Sequence, residues 1–211
     1  MAPAPARLVL VTPPDFDPAD FARQLSDALQ TAETAAVILD LSSDDPALWR
    51  RSAEMLCPIA QEHGAAFLLH DHPGLVREVG ADGVHVTQGA AAVESAMGAL
   101  KPDLIVGAGD CTTRHAAMLL GEGQPDYVLL GRLDHEGDIP ATFNLVEWWS
   151  ELFQIPCVAL CADDWTSVED AVSAGADFVA LRDLVWNEPA GVTDAVARAA
   201  AIAERVREEA A

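Results

Sequence analysis

The stretch from residue 65 to residue 88 constrains the fold more than any other part of the chain. An apolar run at 65–69 is too short for a stable helix and the right length for a strand buried on both faces. The polar triplet His70-Asp71-His72 ends it. Pro73 suits a first helical turn, Leu75, Val76 and Val79 supply one apolar stripe, and Gly80 stands where a left-handed cap is wanted. A second apolar strand follows at 83–87. Two buried strands joined through a short helix form a βαβ unit, which is parallel and right-handed with few exceptions.

The unit recurs from end to end. Further strands are predicted at 8–12, 36–41, 104–108, 127–131, 157–161 and 178–181. Between them lie helical patterns at 18–32, 47–63 and 90–100, and one that Thr112 or Thr113 starts and that runs to about Leu120. Asn144 with Glu147, and Thr166 with Glu169, have the form of capping boxes for the next two helices, and an Ala-rich helix from about Ala190 to Arg207 closes the chain. Eight strands alternating with eight helices fit a closed (β/α)8 TIM barrel better than an open doubly wound sheet. The expected organisation is one domain over 7–211, with residues 1–6 a disordered N-terminal end that lacks the basic start and apolar core of a signal peptide.

A partial repeat supports the count. Gly80-Ala81-Asp82-Gly83-Val84 and Gly175-Ala176-Asp177-Phe178-Val179 nearly coincide, and Gln124-Pro125-Asp126-Tyr127-Val128 is a weaker copy. Each joins a helix stop to a strand start at the floor of the barrel, so these aspartates read as turn chemistry.

Charge narrows the partners. The formal net charge is −22 and Lys101 is the single lysine, a field that disfavours nucleic acid and anionic membrane surfaces. No apolar stretch reaches membrane-spanning length, so the expectation is a cytoplasmic protein with neither partner. Cys57, Cys111, Cys157 and Cys161 show no CxxC spacing and read as buried free thiols.

Function in such a barrel gathers where strands end. The residues there are Thr12, Asp40, His70, Asp71, His72, Gln88, Asp110, Thr112, Arg132, Asp134, His135, Asp163, Asp164, Arg182 and Asp183. In one reading, His70 and His72 share a strand face and hold a divalent metal for hydrolysis or isomerisation. In the other, these are loop caps and solvated charges. His85, between valines, reads as a hydrogen-bonded interior histidine, and Trp165 and Trp186 as a ligand-stacking pair, a lid or a homodimer contact.

The segments Leu8-Val9-Leu10-Val11-Thr12-Pro13, Ala66-Phe67-Leu68-Leu69-His70-Asp71, Gly80-Ala81-Asp82-Gly83-Val84-His85-Val86-Thr87-Gln88 and Ala174-Gly175-Ala176-Asp177-Phe178-Val179-Ala180 occur in the order seen in a known family. The chain resembles thiamine phosphate synthase and its thiazole-tautomerase relatives over nearly its whole length. The resemblance implies a (β/α)8 barrel that joins an aminopyrimidine pyrophosphate to a thiazole phosphate with Mg²⁺, releasing pyrophosphate, and hence a phosphorylated small-molecule ligand. It puts Mg²⁺ on Asp71, with His70 in place of an asparagine. It makes His70, Asp71 and Arg132 catalytic, and Arg182, Ala162 and Asp163 phosphate contacts.

Several family positions differ here. Gly89-Ala90 stand where a second metal aspartate is expected, and Asp40 replaces a glutamine and a base that grip pyrophosphate. Gly109-Asp110 replace a serine, Cys161-Ala162 a glycine pair, and Arg182-Asp183 a small Ser-Ala turn; a lysine-bearing loop has become one that starts at Arg132. For the tautomerase variant, the acid/base histidine after the fifth strand has no counterpart, His115 being offset. These departures imply a divergent member with weakened or lost synthase activity. A metal-dependent hydrolase or isomerase on the His70-Asp71-His72 rim, and a non-catalytic binding or regulatory barrel, stand as alternatives.

Overall fold

The structure, a computed structural model, describes residues 6–133 and 138–209. Asp134 and His135, expected on the rim, and most of the expected disordered N-terminal end lie outside the described residues.

The eight strands are β1 (Arg7–Val11), β2 (Thr34–Leu39), β3 (Ala66–His70), β4 (Gly83–Val86), β5 (Ile105–Cys111), β6 (Tyr127–Leu130), β7 (Cys157–Leu160) and β8 (Phe178–Leu181). Every neighbouring pair is parallel and β8 returns to β1, where Leu10 lies opposite Leu181, so the barrel closes as the strand count predicts. Period-two alternation then sorts the side chains. Leu8 and Leu10 of β1, with Phe67 and Leu69 of β3, face the helices, while Val9, Val11 and Leu68 fill the interior beside Ile38, Val158 and Leu160. This double burial is why the strands read as unbroken apolar runs rather than alternating ones.

The surrounding helices are α1 (Pro18–Leu29), α2 (Pro46–Glu62), α3 (Val76–Val79), α4 (Ala90–Leu100), α5 (Arg114–Glu122), α6 (Ile139–Leu152), α7 (Trp165–Ser173), α8 (Asp183–Trp186) and α9 (Val192–Glu209). Asp17 and Asp45 cap α1 and α2 with a proline at the first helical position, and Thr113 caps α5. The two expected capping boxes are corrected. Asp138 caps α6 by accepting from the Ala141 N–H, which leaves Asn144 in the second turn. Asp164 caps α7 by accepting from the Ser167 N–H, and Thr166 donates its hydroxyl to the same carboxylate. In both cases an aspartate upstream begins the helix earlier than the Asn/Thr pattern suggests. Pro73 precedes α3, which is a single turn closed by left-handed Gly80, and α8 is a short helix that the sequence pattern does not announce. Among the described residues no helix is long and apolar enough to cross a membrane.

The repeated aspartates work at the floor. Asp82 accepts from the Phe67 N–H at 2.7 Å, Asp126 from the Val106 N–H at 2.7 Å and Asp177 from the Cys157 N–H at 2.9 Å. Each satisfies a donor near the start of the preceding strand that the staggered ladder leaves over. Leaving such a donor unpaired costs about 1–3 kcal/mol. Asp177→Ala is therefore expected to lower unfolding free energy in urea by that amount; a loss below a few tenths of a kcal/mol contradicts this role.

Candidate functional site

Opposite the floor, the strand ends enclose a cleft of about 550 Å³ lined by Asp40, His70, Thr87, Asp110, Arg132, Leu133, Asp163, Arg182 and Asp183, with Pro14 and Ser42 at its edge. Its position is the usual place for a ligand in this architecture.

Arg182, the residue after β8, is only 6% exposed. A guanidinium that deep needs partners. One nitrogen bonds the Asp40 carboxylate just past β2, and the other donates to the Leu133 carbonyl at 2.6 Å. Thr12 holds Asp40 in place: its hydroxyl donates to the Asp40 carbonyl and accepts from the Asp40 N–H, each at 3.0 Å. The other Asp40 oxygen accepts from His70 Nδ1 at 2.6 Å.

From His70 the network continues into β4. His70 Nε2 lies 3.2 Å from Asp71 Oδ2 and 3.0 Å from the Thr87 hydroxyl. Asp71 accepts from the Thr87 N–H at 2.7 Å and from the Thr87 hydroxyl at 2.5 Å. Both of its oxygens are thus engaged inside the chain. Burial opposes a charge on His70, but the hydrogen bonds and negative charges of Asp40 and Asp71 outweigh it and raise its pKa to about 9. Burial likewise opposes a charge on Asp71, and the bonds from His70 and Thr87 reverse this and hold it at about 2. Asp40 is lowered against its burial by His70 and Arg182. A neutral-pH mouth is therefore a run of alternating fixed charges: Arg182, Asp40, His70, Asp71.

Deeper in the barrel His85 is fully buried and stacks on Tyr127 at 5.6 Å, with the Tyr127 hydroxyl 2.9 Å from Nδ1. Burial, then the charge on His70, lowers its pKa to about 3, which keeps it neutral. A Cβ on Gly109 would lie 2.4 Å from His85 Nε2, so the ring needs glycine there. His85 is the hydrogen-bonded interior histidine its flanking valines suggest.

The expected site residues fall as follows. His70, Arg132, Asp163 and Arg182 line the cleft. Arg132 is paired with Asp110 at 3.4 Å; Asp110 takes a left-handed φ of 57° where β5 loses register, which aims it at the mouth. Asp71 lies behind the cleft wall. Ala162 faces a separate groove between α6 and α7, where its carbonyl accepts from the Ser167 hydroxyl. The shared strand face expected for His70 and His72 is corrected: β3 ends at His70, Asp71 turns left-handed with φ 54°, and His72 stacks on Trp49 at 3.8 Å. Among the described residues no three His, Cys, Asp or Glu side chains gather as a metal-binding group. Trp165 lies under Arg198, and Trp186 packs on Phe21 and donates to the Val11 carbonyl, so both indoles are used within the chain. All four cysteines are buried and free.

Two residues gain weight that the sequence did not give them. Asp40 is the hub of the network, and Thr87 ties His70 to Asp71. Their position at strand ends was visible, but their partners come from other strands.

A closed parallel barrel with a cleft lined by charged side chains at its strand ends defines a (β/α)8 barrel protein. Residues 8–185 match the family model described as thiamine monophosphate synthase. The thiamine-phosphate synthase of Rhodospirillum centenum is 39% identical over 195 residues, covering 90% of this chain and 94% of the relative. That of Hyphomonas neptunium is 36% identical over 199 residues, covering 90% of each. A solved thiamine phosphate pyrophosphorylase from Pyrococcus furiosus superposes with a TM-score of 0.80 over 95% of this chain and 96% of that one, at 20% identity. The chain belongs to the thiamine monophosphate synthase family.

The network makes stability depend on pH. His70 titrates higher in the folded chain than its ordinary 6.5, so its contribution is complete below about 6.5 and is lost as pH rises through about 9. Asp71 titrates lower than its ordinary 3.8, so its contribution is complete above that value and is lost as pH falls through about 2. The melting temperature is expected to drop between pH 6.5 and pH 9, and His70→Gln to flatten that drop. Parallel profiles for the two proteins would contradict the assignment.

Proposed function

We propose that this barrel is a divergent member of its family: the mouth takes a small-molecule ligand, and the condensation of an aminopyrimidine pyrophosphate with a thiazole phosphate is weakened or lost. One observation carries the reading. Every described cation that lines the cleft is already bonded to a carboxylate of the chain: Arg182 to Asp40, His70 to Asp40, Arg132 to Asp110. A departing pyrophosphate needs positive groups aimed at it in advance, and here they would have to be taken from carboxylates. A phosphate charge about 4 Å from Asp40 would also meet repulsion of about 1–4 kcal/mol, depending on how wet the cleft is.

The donor set does not fit the Mg²⁺ that the resemblance implies. Mg²⁺ demands near-octahedral oxygen ligands. Both Asp71 oxygens are turned to Thr87 and His70, and Gly89-Ala90 offer no second carboxylate. In this reading Arg132 and Arg182 position the ligand, Asp163 lines the cleft beside them, and His70 is a fixed internal cation. The same reading keeps the chain in the cytoplasm without nucleic-acid or membrane partners, supported by its net charge of −22. A metal-dependent hydrolase is not favoured, because His72 turns away from His70.

Removing one well-placed donor from a developing anion costs roughly 10²–10³ in turnover. Pyrophosphate release from the two phosphorylated substrates with Mg²⁺ is therefore expected to run at least about a hundredfold below that of the Rhodospirillum centenum relative. Turnover comparable to the relative, or rescue of a thiamine auxotroph at low expression, would overturn the reading. A rise in melting temperature with the unphosphorylated precursors and no turnover would identify a binding barrel.

A further inference from the structure

At the floor of the barrel, the end away from the mouth, a charged residue stands where the interior calls for an apolar one. Residues 7, 9 and 11 of β1 share a strand face, and Val9 and Val11 belong to the interior layer, so Arg7 continues that layer downward. Its register partner is Phe178 of β8, whose ring centroid lies 5.2 Å from the guanidinium carbon. Barrel layers are usually filled by bulky branched side chains. Here β2 and β3 contribute the paired alanines Ala36 and Ala66, and the floor keeps a cavity of about 210 Å³. Val9, Leu68 and Val158 close its inner end, the rings of Tyr127 and Phe178 wall it, and exposed Arg7 and Asp126 stand at its edge.

We propose that this floor cavity is a second ligand site, which takes a single-ring aromatic carboxylate: the ring enters the cavity and the carboxylate meets Arg7. Size sets the first limit, since an apolar cavity of about 150 Å³ already holds benzene. The floor cavity has room for one ring and a short substituent. The walls set the second: the Tyr127 hydroxyl is turned away to His85 at 2.9 Å, so the side chain offers its ring to the cavity, and with Phe178 it suits a flat aromatic guest. Charge fixes the other end. Both Asp126 oxygens already meet Lys101, and one also accepts from the Val106 N–H. Arg7 is held far more loosely, 3.5 Å from Glu33 with its side chain 49% exposed, a rim pair of little energetic weight. A carboxylate carried on the bound ring therefore reaches a cation that is ready to accept a second, charge-assisted partner.

The chain carries its own reporter, because Tyr127 is its single tyrosine. Full-length protein labelled with fluorotyrosine gives one fluorine NMR signal, and that signal comes from the cavity wall. Benzoate is expected to shift it saturably at millimolar concentration. Ala66→Leu, which fills the cavity, is expected to abolish the saturable shift and leave the melting temperature unchanged or raised. Arg7→Gln is expected to weaken benzoate about three- to tenfold. Benzyl alcohol, the same ring without the charge, is expected to bind wild type and Arg7→Gln alike, and more weakly than benzoate binds the wild type. Arg132→Gln, at the opposite end of the barrel, is expected to leave the benzoate titration unchanged.

No saturable shift in the wild type would overturn the proposal. So would equal benzoate affinity in wild type and Ala66→Leu, or a loss in Arg132→Gln as large as that in Arg7→Gln, which would put the anion at the mouth. Equal affinity for benzoate and benzyl alcohol would overturn the assignment of a carboxylate. Should Ala66→Leu fail to fold, the smaller Ala36→Val fills the same space and is expected to weaken benzoate in the same direction, and Arg7→Gln changes only an exposed side chain. Condensation turnover and benzoate binding are read at opposite ends of the strands, so the function of the mouth and the occupancy of the floor stand or fall separately.

Discussion

The ion pair between Arg182 and Asp40 organises the mouth of this barrel. The two residues are 142 apart in sequence and come together because β1 pairs with β2 on one side and β8 on the other. Both stand one step beyond the ends of their strands, flanking Thr12 at the top of β1. A guanidinium buried to this degree is stable only if paired, and breaking such a pair from one side costs on the order of 3–5 kcal/mol. Around it, hydrogen bonds reach His70 on β3, Asp71 and Thr87 beside β4, and the Leu133 carbonyl after β6. The strand ends are thereby cross-linked by charge rather than left as independent loops, and each bond polarises the next.

That arrangement has a consequence for ligands. A site that stabilises an incoming anion must hold its donors unpaired, or paired only with water, until the anion arrives. Here the described cations that line the cleft are paired in advance with carboxylates of the chain. The closed barrel is complete from floor to rim, and Asp40, His70, Asp110 and Arg182 organise the charges at its mouth.

Much of the fold was legible in the sequence because it rests on short-range patterns. Apolar runs of strand length marked all eight strands, and the repeat of Gly80-Ala81-Asp82 at Gly175-Ala176-Asp177 marked the floor, where each aspartate reaches a neighbouring strand's N–H. Helix starts were less secure: at α6 and α7 an aspartate upstream outcompetes the Asn144 and Thr166 patterns, since a carboxylate is the stronger acceptor for the first free N–H groups. The rim was legible as a set of positions but not as a set of partners. His72 left the expected strand face because Asp71 adopts a left-handed backbone that no spacing rule announces. Asp40 gave no sign that it would hold a residue 142 positions away.

The division between floor and mouth keeps the charged network apart from the groups that close the barrel. The floor aspartates bond to strand N–H groups, and the interior layer of Val9, Leu68 and Val158 is closed to solvent, so neither touches the charged network above. His85 and Tyr127 lie between them as a neutral layer: the ring stays uncharged beneath the His70 cation, and the tyrosine bond spans from β4 to β6. Substitutions at well-separated sites act nearly independently on stability. The carboxylate at position 40 is therefore matched by its neighbours at the rim, Arg182 and His70, without a demand on the floor.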